Sequence, residues 1–323
     1  MMKKVLIIFI VIVLIFGLAA CTQKEEQKGL QEVTVMLDWY PNAVHSFLYA
    51  ALNKGYFAEE GLSVKILMPA DTSDPLKLVA AGQTDFAISY QPQLVMARAQ
   101  DIPVVSVASI VNHPLNTIMV GASDNIKRPK DLEGKTVGYS LPVYEAIVKT
   151  AVKNDGGDIS KLSLIDIGWD LIPAMVTKKV NAISGGFINH EKILIEKEGY
   201  NVNIIDPVQY GVPDYYELIL ITSEKLFQEN KELANKFWQA VKKGQSYVRD
   251  NPSEGLQLLL DNQNDQFPLD AEVEKESLEI LLPLMQDFGK QELKGWQEVI
   301  EWMYELELID KKPEAEKAFI DLK

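Results

Sequence analysis

The sequence predicts an α/β protein of two domains, the first of them discontinuous, and three observations carry that reading. The chain has 323 residues, which at about 150 residues per domain is enough for two cores. From residue 33 onward, short apolar strands alternate with helical patterns, the signature of α/β architecture. After residue 223 the pattern becomes almost wholly helical. This order suggests a first domain of residues 33–122 rejoined by 218–323, with residues 123–217 as the second. Crossings near 117–123 and 214–220 would form the hinge.

The elements follow in order. Residues 33–37 read as a strand, and Val44, Phe47, Leu48, Ala51 and Leu52 then fall on one face of a helix. Residues 63–67 alternate as a strand, and Asp74-Pro75 looks like an N-cap with Pro at the first helical position, stopped by Gly82. Residues 85–89, 103–110 and 117–120 supply further strands. Residues 128–140 (RPKDLEGKTVGYS) give a turn of helix, a break at Gly134 and a strand. Helix 143–153, strand 163–167, a helix from about Leu171, strand 181–184, helix 188–197 and strand 203–205 come next. Residues 216–222 (YELILIT) are a strong apolar strand, and 231–249, 271–288 and 291–306 are the clearest closing helices.

Composition narrows function. A hydrophobic share of 47% with 9% aromatic residues excludes a disordered or collagen-like chain. The formal charge of −14 argues against nucleic acid and anionic lipid as partners. A single Cys forms neither an internal disulfide nor a CxxC metal site. Lys3 and Lys4 precede an apolar run over 5–16 and then Gly17-Leu18-Ala19-Ala20-Cys21, the layout of a secretory signal. The uncharged stretch of about 16 residues is shorter than the roughly 20 a spanning helix prefers. Leu18-Ala19-Ala20-Cys21 resembles the lipobox of bacterial lipoproteins, which implies a signal peptide of residues 1–20 and a lipid on Cys21. The other reading is a signal anchor with an incidental Cys. Residues 21–32 are polar and read as a tether. The expected location is the extracytoplasmic face of the cell membrane, held by the lipid alone.

Five loops could face one cleft. Asp38, Trp39, Asn42 and His45 follow the first strand, where open α/β sheets collect ligands. Two readings stand for Trp39 and Asn42: ligand contact, or packing and a helix cap. Tyr90 and Gln91 occupy the equivalent loop after 85–89, with a stacking face and an amide. Tyr144 opens the helix after the strand at 135–140. Gly186, Asn189 and Glu191 belong to SGGFINHE (184–191), whose glycines allow close approach of backbone to a ligand. Tyr215 lies at the return crossing. Aromatic walls with a few amides and carboxylates suit a flat polar heterocycle, and these loops lack the Arg and Lys that a sugar phosphate requires. There is no GxSxG elbow, HExxH, P-loop or strand-linked GxGxxG, so no enzyme signature stands out. His45, His113 and His190 lie on different elements and read as structural or hydrogen-bonding groups. No catalytic residue, metal or cofactor is expected.

LDWYPNAVHSFLYAALNKGYFAEEGLSVKI (37–66) resembles the opening of the thiamin pyrimidine precursor family, which includes binding proteins of ABC transporters. GGFINHE (185–191) and GVPDYYEL (211–218) resemble its ThiY-type branch. AAGQTDFAISY (80–90) and RPKDLEGKTVG (128–138) are shared with a wider set of binding proteins. The resemblance implies a two-lobed periplasmic-binding-protein fold of type II with its ligand cleft between lobes. It implies binding of N-formyl-4-amino-5-aminomethyl-2-methylpyrimidine or a close precursor, and an ABC permease as partner. Trp39 and a Tyr would sandwich the ring, and Asn42 and Glu191 would address its polar edge. The eukaryotic branch contains pyrimidine precursor synthases that consume an active-site His and use iron, with a Cys-rich motif absent from this chain. The alternatives are a binding protein for another small solute (riboflavin, a sulfonate or an amino acid) or such a synthase.

Overall fold

The computed structural model describes residues 29–263 and 268–322, so the expected leader, Cys21 and the tether up to residue 28 lie outside the described residues. Two five-stranded mixed sheets organise the described chain. The first contains β1 (Gln31–Met36), β2 (Leu62–Leu67), β3 (Phe86–Ser89), β4 (Val104–Val111) and β10 (Leu218–Ser223), in the order β2-β1-β3-β10-β4. The second contains β5 (Asn116–Gly121), β6 (Thr136–Tyr139), β7 (Ser163–Asp166), β8 (Ala182–Phe187) and β9 (Val202–Ile205), in the order β7-β6-β8-β5-β9.

The two sheets repeat one plan. In the first, β1 is parallel to β2 and β3, and β10 enters antiparallel between β3 and β4. In the second, β6 is parallel to β7 and β8, and β5 enters antiparallel between β8 and β9. The inserted strand is in each case the first one after the chain crosses from the other sheet. Parallel neighbours need a crossover connection, here supplied by helices such as Ser46–Asn53, Asp74–Ala80 and Pro142–Asn154. β4 and β10 are buried at every position, which is why they read as apolar runs interrupted only by small Ser and Thr.

The closing helices Lys231–Asp250, Pro252–Leu260, Ala271–Leu284 and Leu293–Glu305 add Phe237, Leu259, Leu281 and Trp296 to the core of the first sheet. The second sheet has a smaller core on each face, around Ile118, Val137 and Val148 on one side and Met119, Met175 and Ile183 on the other. No helix among the described residues is long and apolar enough to cross a membrane.

Several sequence-based boundaries move. Residues 116–121, expected in the first domain, form β5 of the second sheet, so the first crossing is at 112–115. Residues 104–111 and 116–121 are two apolar runs parted by Asn112-His113-Pro114, and that short break reads equally as a turn within one sheet or as a crossing to the next. Gln31 and Glu32, expected in the tether, pair with Leu62 and Ser63; their side chains are exposed and only their backbone joins the ladder. Asp74 is not the cap of its helix: Ser73 stands at that position, while the Asp74 carboxylate accepts from the N–H groups of Ala70 and Asp71. Gly185 and Gly186 lie inside β8, and the helix expected from residue 188 begins at Glu191.

Candidate functional site

The loop after β1 folds around a buried carboxylate. Asp38, 2% exposed, holds His45 Nε2 at 2.9 Å from Oδ1 and accepts from the Tyr90 hydroxyl at 2.9 Å on Oδ2. The backbone N–H of Asn42 donates to His45 Nδ1 at 3.2 Å. An amide N–H can only donate, so Nδ1 is bare, Nε2 carries the ring proton, and His45 is neutral. Asn42 Oδ1 accepts from Val44 N–H at 3.1 Å and Nδ2 donates to the Tyr40 carbonyl at 3.2 Å. Asn42 therefore caps the short 3-10 turn Ala43–His45.

The opposite wall comes from β8 and the helix Glu191–Lys197. Glu191 Oε2 accepts from Phe187 N–H at 2.9 Å and Oε1 faces His190 Nδ1 at 2.9 Å. His190 Nε2 lies 3.6 Å from Glu274 Oε1, and Glu274 Oε2 accepts from Ala43 N–H at 2.6 Å. Burial opposes charge on His190, but the carboxylates of Glu191 and Glu274 outweigh it and push its pKa up to about 10. His190 is thus an imidazolium held between two carboxylates, one on each side of the cleft. Asn189 Nδ2 reinforces the same junction by donating to Ser277 Oγ at 3.0 Å.

Aromatic rings close the top. Trp39 from the first sheet and Trp169, in the loop after β7, meet with ring centroids 4.0 Å apart and planes tilted by 38°. Tyr40 stands 5.6 Å from Trp39 and 5.4 Å from His190. Beneath them, Asp38, Trp39, Asn42, Val44, Tyr90, Ser140, Gly185, Phe187, His190 and Glu191 enclose a cavity of about 20 Å³. That volume suits roughly one water. A heterocycle enters only after the two walls separate, so this conformation is a shut cleft.

The structure brings Asp38, Trp39, Asn42, Tyr90 and Glu191 together at the cavity. The other expected residues stand outside its lining. His45 is fully buried behind Asp38. Gln91 is also fully buried, its Oε1 accepting from Tyr216 N–H at 2.9 Å. Tyr144 and Tyr215 point their hydroxyls at Glu217, each 3.2 Å from one of its oxygens. Gly185 lines the cavity where Gly186 was expected; a Cβ on Gly185 would meet Ser140 Oγ at 2.2 Å and its φ is +103°. Asn189 binds the helix Ala271–Leu284.

Sequence reasoning passed over Trp169, Ser140, Phe187 and Glu274. Trp169 and Ser140 each follow a strand, as the chosen loops did, and that placement was the available signal. Glu274 is 231 residues from Ala43, its backbone partner, and offers no local signal.

A family model described as NMT1/THI5 like matches residues 42–255. Over 98% of both chains the protein is 44% identical to the formylaminopyrimidine-binding protein of Halalkalibacterium halodurans. It is 28% identical to a 4-amino-5-hydroxymethyl-2-methylpyrimidine phosphate synthase of Legionella pneumophila, covering 70% of this chain and 72% of that one. The fold is that of periplasmic binding proteins. The alkanesulfonate-binding protein SsuA from Xanthomonas axonopodis pv. citri, bound to MOPS, superposes with a TM-score of 0.70 over 90% of this chain and 98% of its own, at 11% identity.

Proposed function

Because the chain belongs to the NMT1/THI5-like family, we propose that it is the solute-binding component of an ABC importer and takes up a thiamin pyrimidine precursor. The ligand is N-formyl-4-amino-5-aminomethyl-2-methylpyrimidine or a close relative, bound between the two sheets. The observation that carries this reading is the cavity itself, where the Trp39 indole and the Tyr90 ring stand beside two carboxylates. Flat rings supply stacking faces, and Asp38 and Glu191 supply acceptors for an exocyclic amine. A sulfonate or phosphate fits poorly, since no Lys or Arg lines the cavity. The chain acts by binding and closing, with no reaction of its own, and the closed form docks on a membrane permease. The crossings at 112–115 and 206–217 are the hinge.

Titration calorimetry with the formylaminopyrimidine tests this reading. The expected result is saturable one-to-one binding, with the ligand recovered unchanged after incubation with iron and oxygen. No binding, or consumption of the ligand, overturns it. The same reading anchors the mature chain by a lipid on Cys21 at the extracytoplasmic face of the membrane. Cys21→Ala then releases the protein from the membrane fraction; a variant that stays membrane-bound through an uncleaved leader rules the lipid out.

A further inference from the structure

We infer that the site binds its pyrimidine as a cation, so that a ligand neutral in water takes up a proton as it enters. This rests on the pyrimidine reading above and concerns the charge state of the bound form. The argument is a charge inventory. Three carboxylates, Asp38, Glu191 and Glu274, stand at the cavity wall or one residue behind it, each at most 3% exposed. One cation, His190, faces two of them. His45 is neutral because its Nδ1 accepts a backbone N–H. No Lys or Arg lines the cavity. Two negative charges are left without a counter-ion in a space closed to bulk water, where an unpaired charge is costly.

The hydrogen bonds leave room for a cationic partner. Each oxygen of Asp38 and of Glu191 takes one partner within the protein, and a carboxylate oxygen accepts two. The acceptor capacity that remains belongs to groups lining the cavity. A neutral aminopyrimidine offers the amine as donor but turns a ring-nitrogen lone pair toward the same carboxylate, acceptor against acceptor. Protonating that nitrogen makes amine and ring N–H a paired donor, which one carboxylate accepts in bidentate fashion.

The remaining titratable groups facing these carboxylates do not supply the charge. Tyr40 faces Glu191 and Glu274, and Tyr90 faces Asp38; burial and those carboxylates hold both hydroxyls above the ordinary tyrosine range, so they stay neutral donors. Tyr144, buried nearby, behaves in the same way.

The test is titration calorimetry of the full chain from pH 6 to 9, in buffers of differing ionisation heat, with two probes. The formylamino compound has only its ring to protonate. The expected result is uptake approaching one proton and about a tenfold loss of affinity per pH unit above the ring pKa. The aminomethyl compound brings an ammonium as well; it is expected to bind more tightly at pH 8 and still to take up the ring proton. Glu191→Gln should lose most of the uptake, whereas Glu217→Gln, altered outside the cavity, should keep it. Binding of both probes with no uptake and no pH dependence overturns the inference, as does uptake that vanishes in Glu217→Gln. Failure of both probes to bind at any pH instead defeats the pyrimidine reading itself.

Discussion

Trp169 and Trp39 are both half-buried, and each makes its closest ring contact with the other, at 4.0 Å. An indole in a sheet core would be fixed by neighbours on its own sheet. These two come from the loops after β7 and β1, on different sheets, so their contact exists only while the cleft is shut. Trp39 also packs against one core of the second sheet, whereas Trp169 belongs to neither sheet's core, so removing the Trp169 ring costs little of either. If they clasp a heterocycle, Trp169→Ala weakens binding by about 1–3 kcal/mol, the range for a base lost from an aromatic face. Thermal melts of the unliganded variant should shift by far less than a core deletion would cause. Calorimetry checks the first expectation and melting curves the second. An unchanged dissociation constant in the folded variant would leave Trp169 as a lid contact with no part in recognition.

Elements made of buried apolar runs were legible in the sequence, because burial on both faces demands such runs. β4, β8 and β10 fall within a few residues of expectation for that reason. The helix Gln91–Ala99 escaped notice because its first turn is polar and Pro-bearing, and a strand-exit loop reads the same way. The helix Lys231–Asp250 was plain from its period, but its closest packing was not. At Gly244 a Cβ would meet the Phe47 carbonyl at 2.2 Å, so the absence of a side chain lets this helix lie directly on Ser46–Asn53. In the site, Asp38 and Tyr90, beside strand ends, line the cavity, while Ser140, equally placed after β6, was passed over. The ion triad was not legible, since His190 takes its charge partly from Glu274, which the fold alone brings near. Asn42 illustrates the converse: its sequence allowed ligand contact or capping, and its hydrogen bonds are those of a cap.

At the scale of the whole molecule, one buried side chain ties the two crossings together. Glu217, fully buried just before β10, accepts on Oε2 from the N–H groups of Leu115 and Asn116, both at 2.8 Å. Its Oε1 takes the Tyr144 hydroxyl at 3.2 Å, from the helix that follows β6. The carboxyl thus joins the outgoing crossing, the returning crossing and the second sheet at one point. Burial raises its pKa from 4.5 to about 7, against the opposing pull of these donors. The native state therefore holds a proton between about pH 4.5 and 7 that the unfolded chain releases. Stability from this group is fully present below about pH 4.5 and is lost as pH rises through about 7. Glu217→Gln removes the titration while keeping shape and one acceptor. Urea unfolding of both proteins isolates it, because every other titrating group cancels in their difference. The stability of the native protein minus that of the variant should fall steadily from pH 4.5 to 7 and level off above. A difference that stays flat across that window would mean that Glu217 keeps one charge state throughout and that the junction of the two crossings carries no pH response.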